Sequence, residues 1–191
     1  MASNTVTKVT EEQYLAMDRA AEFRSEFLDG EIVAMSGGSM HHTLLGANLI
    51  GELRAALKQT ECRTLTSDFR VRVSPHMYTY PDVTIVCGKP TLADKRQDIL
   101  LNPTVIFEVL SPSTEFYDRG IKFRRYREIE SLTDYILVDQ DQIRIEQYTR
   151  GEANTWTLRD YQRAEDILHI ASIGVSVPLS AIYERIEFPA E

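Results

Sequence analysis

The stretch TVIFEVLSPST, residues 104–114, decides the reading of this chain. Val105 to Leu110 is a run of aliphatic, β-branched and aromatic residues that reads as a strand inside a core. One carboxylate, Glu108, interrupts it. A lone charge is expensive to bury unless something pairs with it. With a period of two, Ile106, Glu108 and Leu110 project to one face of the strand, and Val105, Phe107 and Val109 to the other. The question is what partner Glu108 has.

PDVTIVCG, residues 81–88, shows the same oddity. It is a short, mostly apolar strand opened by Pro81, where proline is tolerated, and Asp82 follows directly. If the two strands are neighbours, both carboxylates enter one pocket. Close carboxylates repel, and one of them takes up a proton unless a cation intervenes. Mg²⁺ needs only one or two protein carboxylates, with water and substrate phosphate completing its octahedron. Asp82 and Glu108 are therefore candidate ligands. The alternative is an ion pair of Glu108 with Lys122, Arg70 or Arg72, and no metal.

SPSTEFYDRGIKFRRYREIESL, residues 111–132, reads as a loop and then a helix from about Tyr117. Asp118, Lys122 and Tyr126 are spaced i, i+4, i+8, so they share one stripe that Ile129 continues. A stripe that begins polar and ends apolar faces the interior with its polar end at a site. Lys122 can there position a water or offset charge on a phosphate oxygen. It can equally form a plain surface pair with Asp118. Arg119, Lys122, Arg124, Arg125 and Arg127 make five cations in nine residues. They read either as a contact for a phosphate backbone or as a solvated face balanced by Glu115, Glu128 and Glu130. In TLTSDFRVRVS, residues 64–74, Phe69, Val71 and Val73 alternate with Arg70 and Arg72. That is a half-buried strand whose arginines extend a basic groove or guard an edge.

The remaining segments complete the architecture. Thr10 and Gln13 form a capping-box pattern before a helix over about residues 11–20. SEFLDGEIVAM, residues 25–35, is a hairpin around Asp29-Gly30. SGGSMHH is a loop, with Gly37-Gly38 as a turn signal only. In the segment that follows, Leu45, Leu49, Leu53, Ala56 and Leu57 recur at helical spacing. KPTLADKRQDILLNP, residues 89–103, is a polar connection. DYILVDQDQIRIEQYTR, residues 134–150, gives two strands around Asp139–Gln142, and residues 151–191 hold short strands and a terminal turn. No repeat, low-complexity stretch or interior linker appears. Helices interspersed with strands predict one α/β (α+β) domain over residues 1–191, a mixed sheet with helices on its faces.

Composition narrows the function. The 191 residues carry a net charge of −8 with 43% apolar and 26% charged content. That balance excludes a purely electrostatic nucleic-acid binder but not an enzyme acting on nucleic acid, since metal-binding acids add negative charge. No apolar run approaches transmembrane length, and the N-terminus lacks a signal-peptide pattern, so a cytoplasmic protein is expected. Cys62 and Cys87 lie in no metal-binding spacing and are expected as buried free thiols. Ser111 and Ser113 have no nucleophile-elbow context; they read as helix-capping residues.

Taken together, Tyr80-Pro81-Asp82-Val83, Phe107 to Thr114, Asp118-x3-Lys122-x3-Tyr126 and Asp134 to Asp139 form one pattern. It resembles the bacterial restriction-endonuclease family within the PD-(D/E)xK nuclease superfamily. SEFLDGEIVAMSGGSMHH matches as well, with Glu26, the Asp29-Gly30-Glu31 turn and a histidine opening the next helix. The resemblance covers about residues 10–150. It implies a restriction-endonuclease-like mixed central sheet flanked by helices, and Mg²⁺- or Mn²⁺-dependent hydrolysis of phosphodiesters. It implies Asp82 and Glu108 as ligands, the backbone carbonyl of Val109 as a third, and Glu26 as an added carboxylate. It favours His41 near the site; by residue type alone either His41 or His42 reads as a surface or packing histidine. The superfamily's lysine usually lies two residues after the acid, a position held here by Leu110, so Lys122 is the candidate. The implied partner is double-stranded DNA, contacted by Arg119, Arg124 and Arg125, with a homodimer cutting both strands. A nuclease-like binding module without efficient turnover is the rival reading.

Overall fold

A computed structural model of the protein describes residues 8–35 and 37–188. Helix α1 (Glu11–Ala20) starts with the expected capping box: the Thr10 hydroxyl accepts from the Gln13 N–H, and the Gln13 side chain accepts from the Thr10 N–H. Strands β1 (Ser25–Leu28) and β2 (Glu31–Ala34) form the expected hairpin. Asp29 and Gly30 both have positive φ, the conformation that an Asp-Gly hairpin turn requires. Helix α2 (Met40–Ala56) buries Leu45, Leu49, Leu53 and, just past its end, Leu57. Ala56, grouped with them by spacing, is exposed.

Strands β3 (Arg63–Thr66), β4 (Arg70–Ser74), β5 (Met77–Thr79), β6 (Val83–Val86) and β7 (Ile99–Leu100) follow. β7 lies within the segment expected to be a polar connection. Its two buried residues pair with β4, and two residues are too few to show a period. Next come β8 (Val105–Leu110), a short α3 (Glu115–Tyr117), a π-helical turn over Asp118–Lys122, α4 (Phe123–Tyr126), β9 (Asp134–Asp139) and β10 (Ile145–Arg150). The C-terminal part adds β11 (Trp156–Tyr161), a hairpin of β12 (Ile167–Ile170) and β13 (Val175–Pro178), and α5 (Leu179–Ile182).

The central sheet is mixed and six-stranded, in the order β11-β10-β9-β8-β6-β3, with β8 and β9 parallel and the other pairs antiparallel. A second sheet, β2-β1-β5-β4-β7, takes up the N-terminal hairpin. The alternation in β8 decides the layering. Val105, Phe107 and Val109 join the core under α2, the C-terminal hairpin and α5. Ile106 and Leu110 join a second core with Tyr126, Ile129, Leu132 and Tyr135. Glu108 projects to this second face, as the period of two requires.

Two expectations need correction. Cys62 and Cys87 are not free thiols but form a disulfide. The antiparallel register Arg63↔Val86 sets them opposite one another, and that neighbourhood is invisible until β3 and β6 are paired. Arg70 is not on an exposed strand face. It is 3% exposed and ion-paired with Asp18 of α1, so β4 is covered on both sides there. Arg72 stays at the surface, 3.2 Å from Glu11. No helix among the described residues is long and apolar enough to cross a membrane.

Candidate active site

The pairing Val83↔Phe107 between β6 and β8 brings Asp82 across from Glu108. Both line a cleft of ≈ 270 Å³ whose walls include Glu26 from β1, His42 from α2, Tyr80, Val109, and Tyr117, Asp118 and Lys122 from the helix after β8. Glu26, Glu108, Asp118 and Lys122 are all buried.

Lys122 is the hub. Its ammonium lies 3.1 Å from Glu26, 3.0 Å from Glu108 Oε1 and 3.1 Å from Asp118, and sits over the Tyr117 ring. The π-helical turn carries both Asp118 and Lys122 on its inner side; such turns are rare and recur at functional sites. The Tyr126 hydroxyl lies 2.9 Å from both Glu108 Oε1 and the Thr79 hydroxyl. Asp82 Oδ2 accepts from the Val109 N–H at 2.7 Å and lies 3.4 Å from His42 Nε2.

The electrostatics follow from this geometry. Glu26, Asp82, Glu108 and Asp118 surround a single ammonium, with His42 beside Asp82. Burial pushes the Glu108 carboxyl well above its usual range; Asp118, Asp82 and Glu26 add to the rise and Lys122 opposes it. Burial alone would depress Lys122, but Glu108 and Glu26 outweigh it and the ammonium is held protonated. The Asp82 hydrogen bond likewise outweighs burial at His42 and shifts its imidazole upward.

The sequence candidates fare unevenly as neighbours. Asp82, Glu108, Val109, Lys122, Glu26, Asp118 and Tyr126 come together. His41 does not: its Nδ1 faces the Gln140 carbonyl at 3.2 Å and its ring packs near Phe188. His42 takes the place at the cleft, because neighbouring helix positions point about 100° apart. Ser111 and Ser113 line the cleft rather than cap a helix. Thr114 is the N-cap residue of α3, and no side chain caps it. Arg119 and Arg125 are engaged within the chain, Arg119 with Glu146 and Arg125 with Asp29. Arg124 is exposed and has no ion pair among the described residues. Tyr80, Tyr117 and Gln140 are cleft residues that sequence reasoning missed. Tyr80 alone carried a signal, its position two residues before Asp82.

Among the described residues no three His, Cys, Asp or Glu side chains converge as a metal-binding group. The Lys122 ammonium holds the centre of the carboxylates instead. Two carboxylates nevertheless suffice for Mg²⁺. Among the described residues the hydrogen bonds to Asp82 and Glu108 fall on Oδ2 and Oε1 only, leaving one oxygen of each without a donor there. Asp118 Oδ1 meets only the Lys122 ammonium, 3.1 Å away, and the Tyr117 hydroxyl, buried in the same cleft, has no hydrogen-bond partner among the described residues. A small divalent cation therefore fits the donor set.

A restriction-endonuclease-like fold with an acid-rich, lysine-centred cleft defines the class of protein. The chain belongs to the Uma2 family, "Putative restriction endonuclease", whose profile matches residues 11–180. It is 35% identical over 182 residues to the uncharacterized protein slr1290 of Synechocystis sp., covering 95% of this chain and 94% of that one. It is 34% identical over 161 residues to sll1609 of the same organism, covering 84% and 91%. In fold it is similar to the crystal structure of a "putative nuclease" of the DUF820 group from Anabaena variabilis. The TM-score is 0.77 at 15% identity, over 92% of this chain and 97% of that one.

Proposed function

We propose that the protein is a Mg²⁺- or Mn²⁺-dependent nuclease that hydrolyses phosphodiester bonds in DNA. The observation that carries this reading is the facing pair Asp82 and Glu108, each with one oxygen that accepts no hydrogen bond from the described residues, beside an ammonium held by three carboxylates. Asp82 and Glu108 would hold the cation, with the Val109 carbonyl as a third donor and Glu26 as an added carboxylate. A divalent ion there supplies a water of lowered pKa and neutralises charge on the phosphate. The chain's own groups do the rest. The Val109 N–H and His42 fix one oxygen of Asp82, and Tyr126 fixes one of Glu108. Protonated Lys122 donates toward the phosphate oxygens or the attacking water, where charge builds in the transition state. Cutting both strands of a duplex calls for a second copy of the chain.

The test is plasmid cleavage with Mg²⁺ or Mn²⁺ by wild type, Asp82→Ala and Lys122→Ala. Metal-dependent nicking abolished by both substitutions supports the reading. Equal silence of all three on DNA and RNA favours the second reading, a nuclease-like binding module. One observation favours that rival: the Lys122 ammonium already occupies the centre that a cation would share.

A further inference from the structure

A second buried polar cluster lies behind the cleft. Asp18, at the end of α1, is 1% exposed. Its Oδ1 accepts from the Ser25 N–H at 2.9 Å and the Ser25 hydroxyl at 3.0 Å. Its Oδ2 accepts from the Arg70 guanidinium and the Tyr80 hydroxyl. Arg70 Nε donates to the same Tyr80 oxygen at 2.9 Å, and the guanidinium lies 5.3 Å from the centre of the Tyr80 ring. One carboxylate thus ties together the residue just before Glu26 and the residue two before Asp82. Pro81, with its fixed φ, joins Tyr80 to Asp82. The Tyr80 N–H also points at Glu26 Oε1, 3.4 Å away.

Stability alone does not explain this cluster. Desolvating an ion pair offsets most of its Coulombic gain, and well-packed apolar residues often do as well. What an apolar cluster cannot do is fix the relative position of two strand ends through directed bonds. We propose that Asp18, Arg70 and Tyr80 are positioning residues that set the spacing of the Glu26 and Asp82 carboxylates. Their role rests on the nuclease reading of the cleft. Of the three, only Tyr80 lines the cleft. Displacement of a reacting group by about 1 Å is enough to lower catalysis on the order of a hundredfold.

The test compares Tyr80→Phe with Tyr161→Phe. Tyr161→Phe also removes a buried tyrosine hydroxyl, one bonded to Gln147 away from the cleft. Mn²⁺ binding is measured by calorimetry with the metal alone, and cleavage as kcat and KM. The expected result is that both variants melt within a few degrees of each other. Tyr80→Phe alone weakens Mn²⁺ binding, by about tenfold or more, and lowers kcat with little change in KM. Arg70→Lys, which keeps the charge, retains part of the activity that Arg70→Met loses. Equal Mn²⁺ affinity and kcat in Tyr80→Phe and Tyr161→Phe overturn the proposal. If wild type neither binds Mn²⁺ nor cuts, the nuclease reading fails on its own. A crystal structure of Tyr80→Phe then decides: a shift of Glu26 relative to Asp82 supports positioning, and superimposable carboxylates overturn it.

Discussion

Lys122 Nζ lies 3.0 Å from Glu108 Oε1, fourteen residues apart in sequence and both buried. This contact answers the question posed by an acid inside an apolar strand. The strand delivers the carboxylate, and a helix folded back over it delivers the counter-charge. The partner is shared, because Glu26 and Asp118 reach the same ammonium.

The sharing makes the two ends of the pair unequal. Lys122→Met leaves three buried carboxylates without their cation, and breaking a buried pair this way costs about 3–5 kcal/mol. Glu108→Gln leaves Lys122 still paired with Glu26 and Asp118 and removes the charge that burial disfavours most. Urea unfolding should therefore show a large loss for Lys122→Met and little loss, or a gain, for Glu108→Gln. Both should abolish cleavage. Equal destabilisation by the two would refute the hub role of Lys122.

Four carboxyl groups gathered around one ammonium predict stabilisation by metal. A ligand bound only to the folded state stabilises it by about 2.7 kcal/mol at a hundredfold excess over Kd. Millimolar Mg²⁺ should raise the melting temperature of wild type, and chelator should reverse the rise. Asp82→Asn should lose most of the effect. An Mg²⁺ response unchanged in that variant would place the ion elsewhere.

Much of this geometry was legible in the sequence, for a local reason. Two acids interrupting two apolar strands, and an i, i+4, i+8 stripe on the next helix, are signals of short range. What escaped depends on contacts far along the chain. Arg70 reads as a surface residue by alternation, but Asp18, 52 residues away, draws it inside. Arg119 and Arg125 read as phosphate contacts or as cations balanced by acids of their own helix; Glu115 and Glu128 do stand near them, but their short partners, Glu146 and Asp29, come from far along the chain. His41 and His42 are adjacent, and only the docking of α2 chooses between them.

Asp18 predicts a pH dependence of stability. Burial raises its pKa, but hydrogen bonds from Tyr80, the Ser25 N–H and Arg70 outweigh burial, and the net shift is downward. A carboxyl depressed in the folded state adds stability that is complete above its unfolded pKa, about 3.9. That stability fades as pH falls from there through the folded value. Urea midpoints of wild type should drop more steeply below about pH 4 than those of Asp18→Asn. Parallel curves would remove Asp18 from the acid response.

The arginines of α3 to α4 should separate into two kinds. Arg124 is exposed without an ion pair among the described residues, so Arg124→Ala should weaken DNA binding across sequences and lower the salt slope by about one. Arg119 is held by the buried Glu146, so Arg119→Ala should lower stability instead. Fluorescence anisotropy against salt, paired with thermal melts, reads both.

The disulfide makes a covalent prediction. Cys62 and Cys87 face each other across β3 and β6 and close a loop of 25 residues. Chain-entropy arguments give such a closure about 3–4 kcal/mol. Denatured, unreduced protein should show no reactive thiols, and reduced protein two. Cys62→Ser should lower the melting temperature, and reductant should lower that of wild type while leaving the variant unmoved. Because β6 ends at the bridge and begins beside Asp82, loosening it should also reduce cleavage before the protein melts. Two reactive thiols in unreduced protein, with melting insensitive to reductant, would show that the bridge does not form in solution.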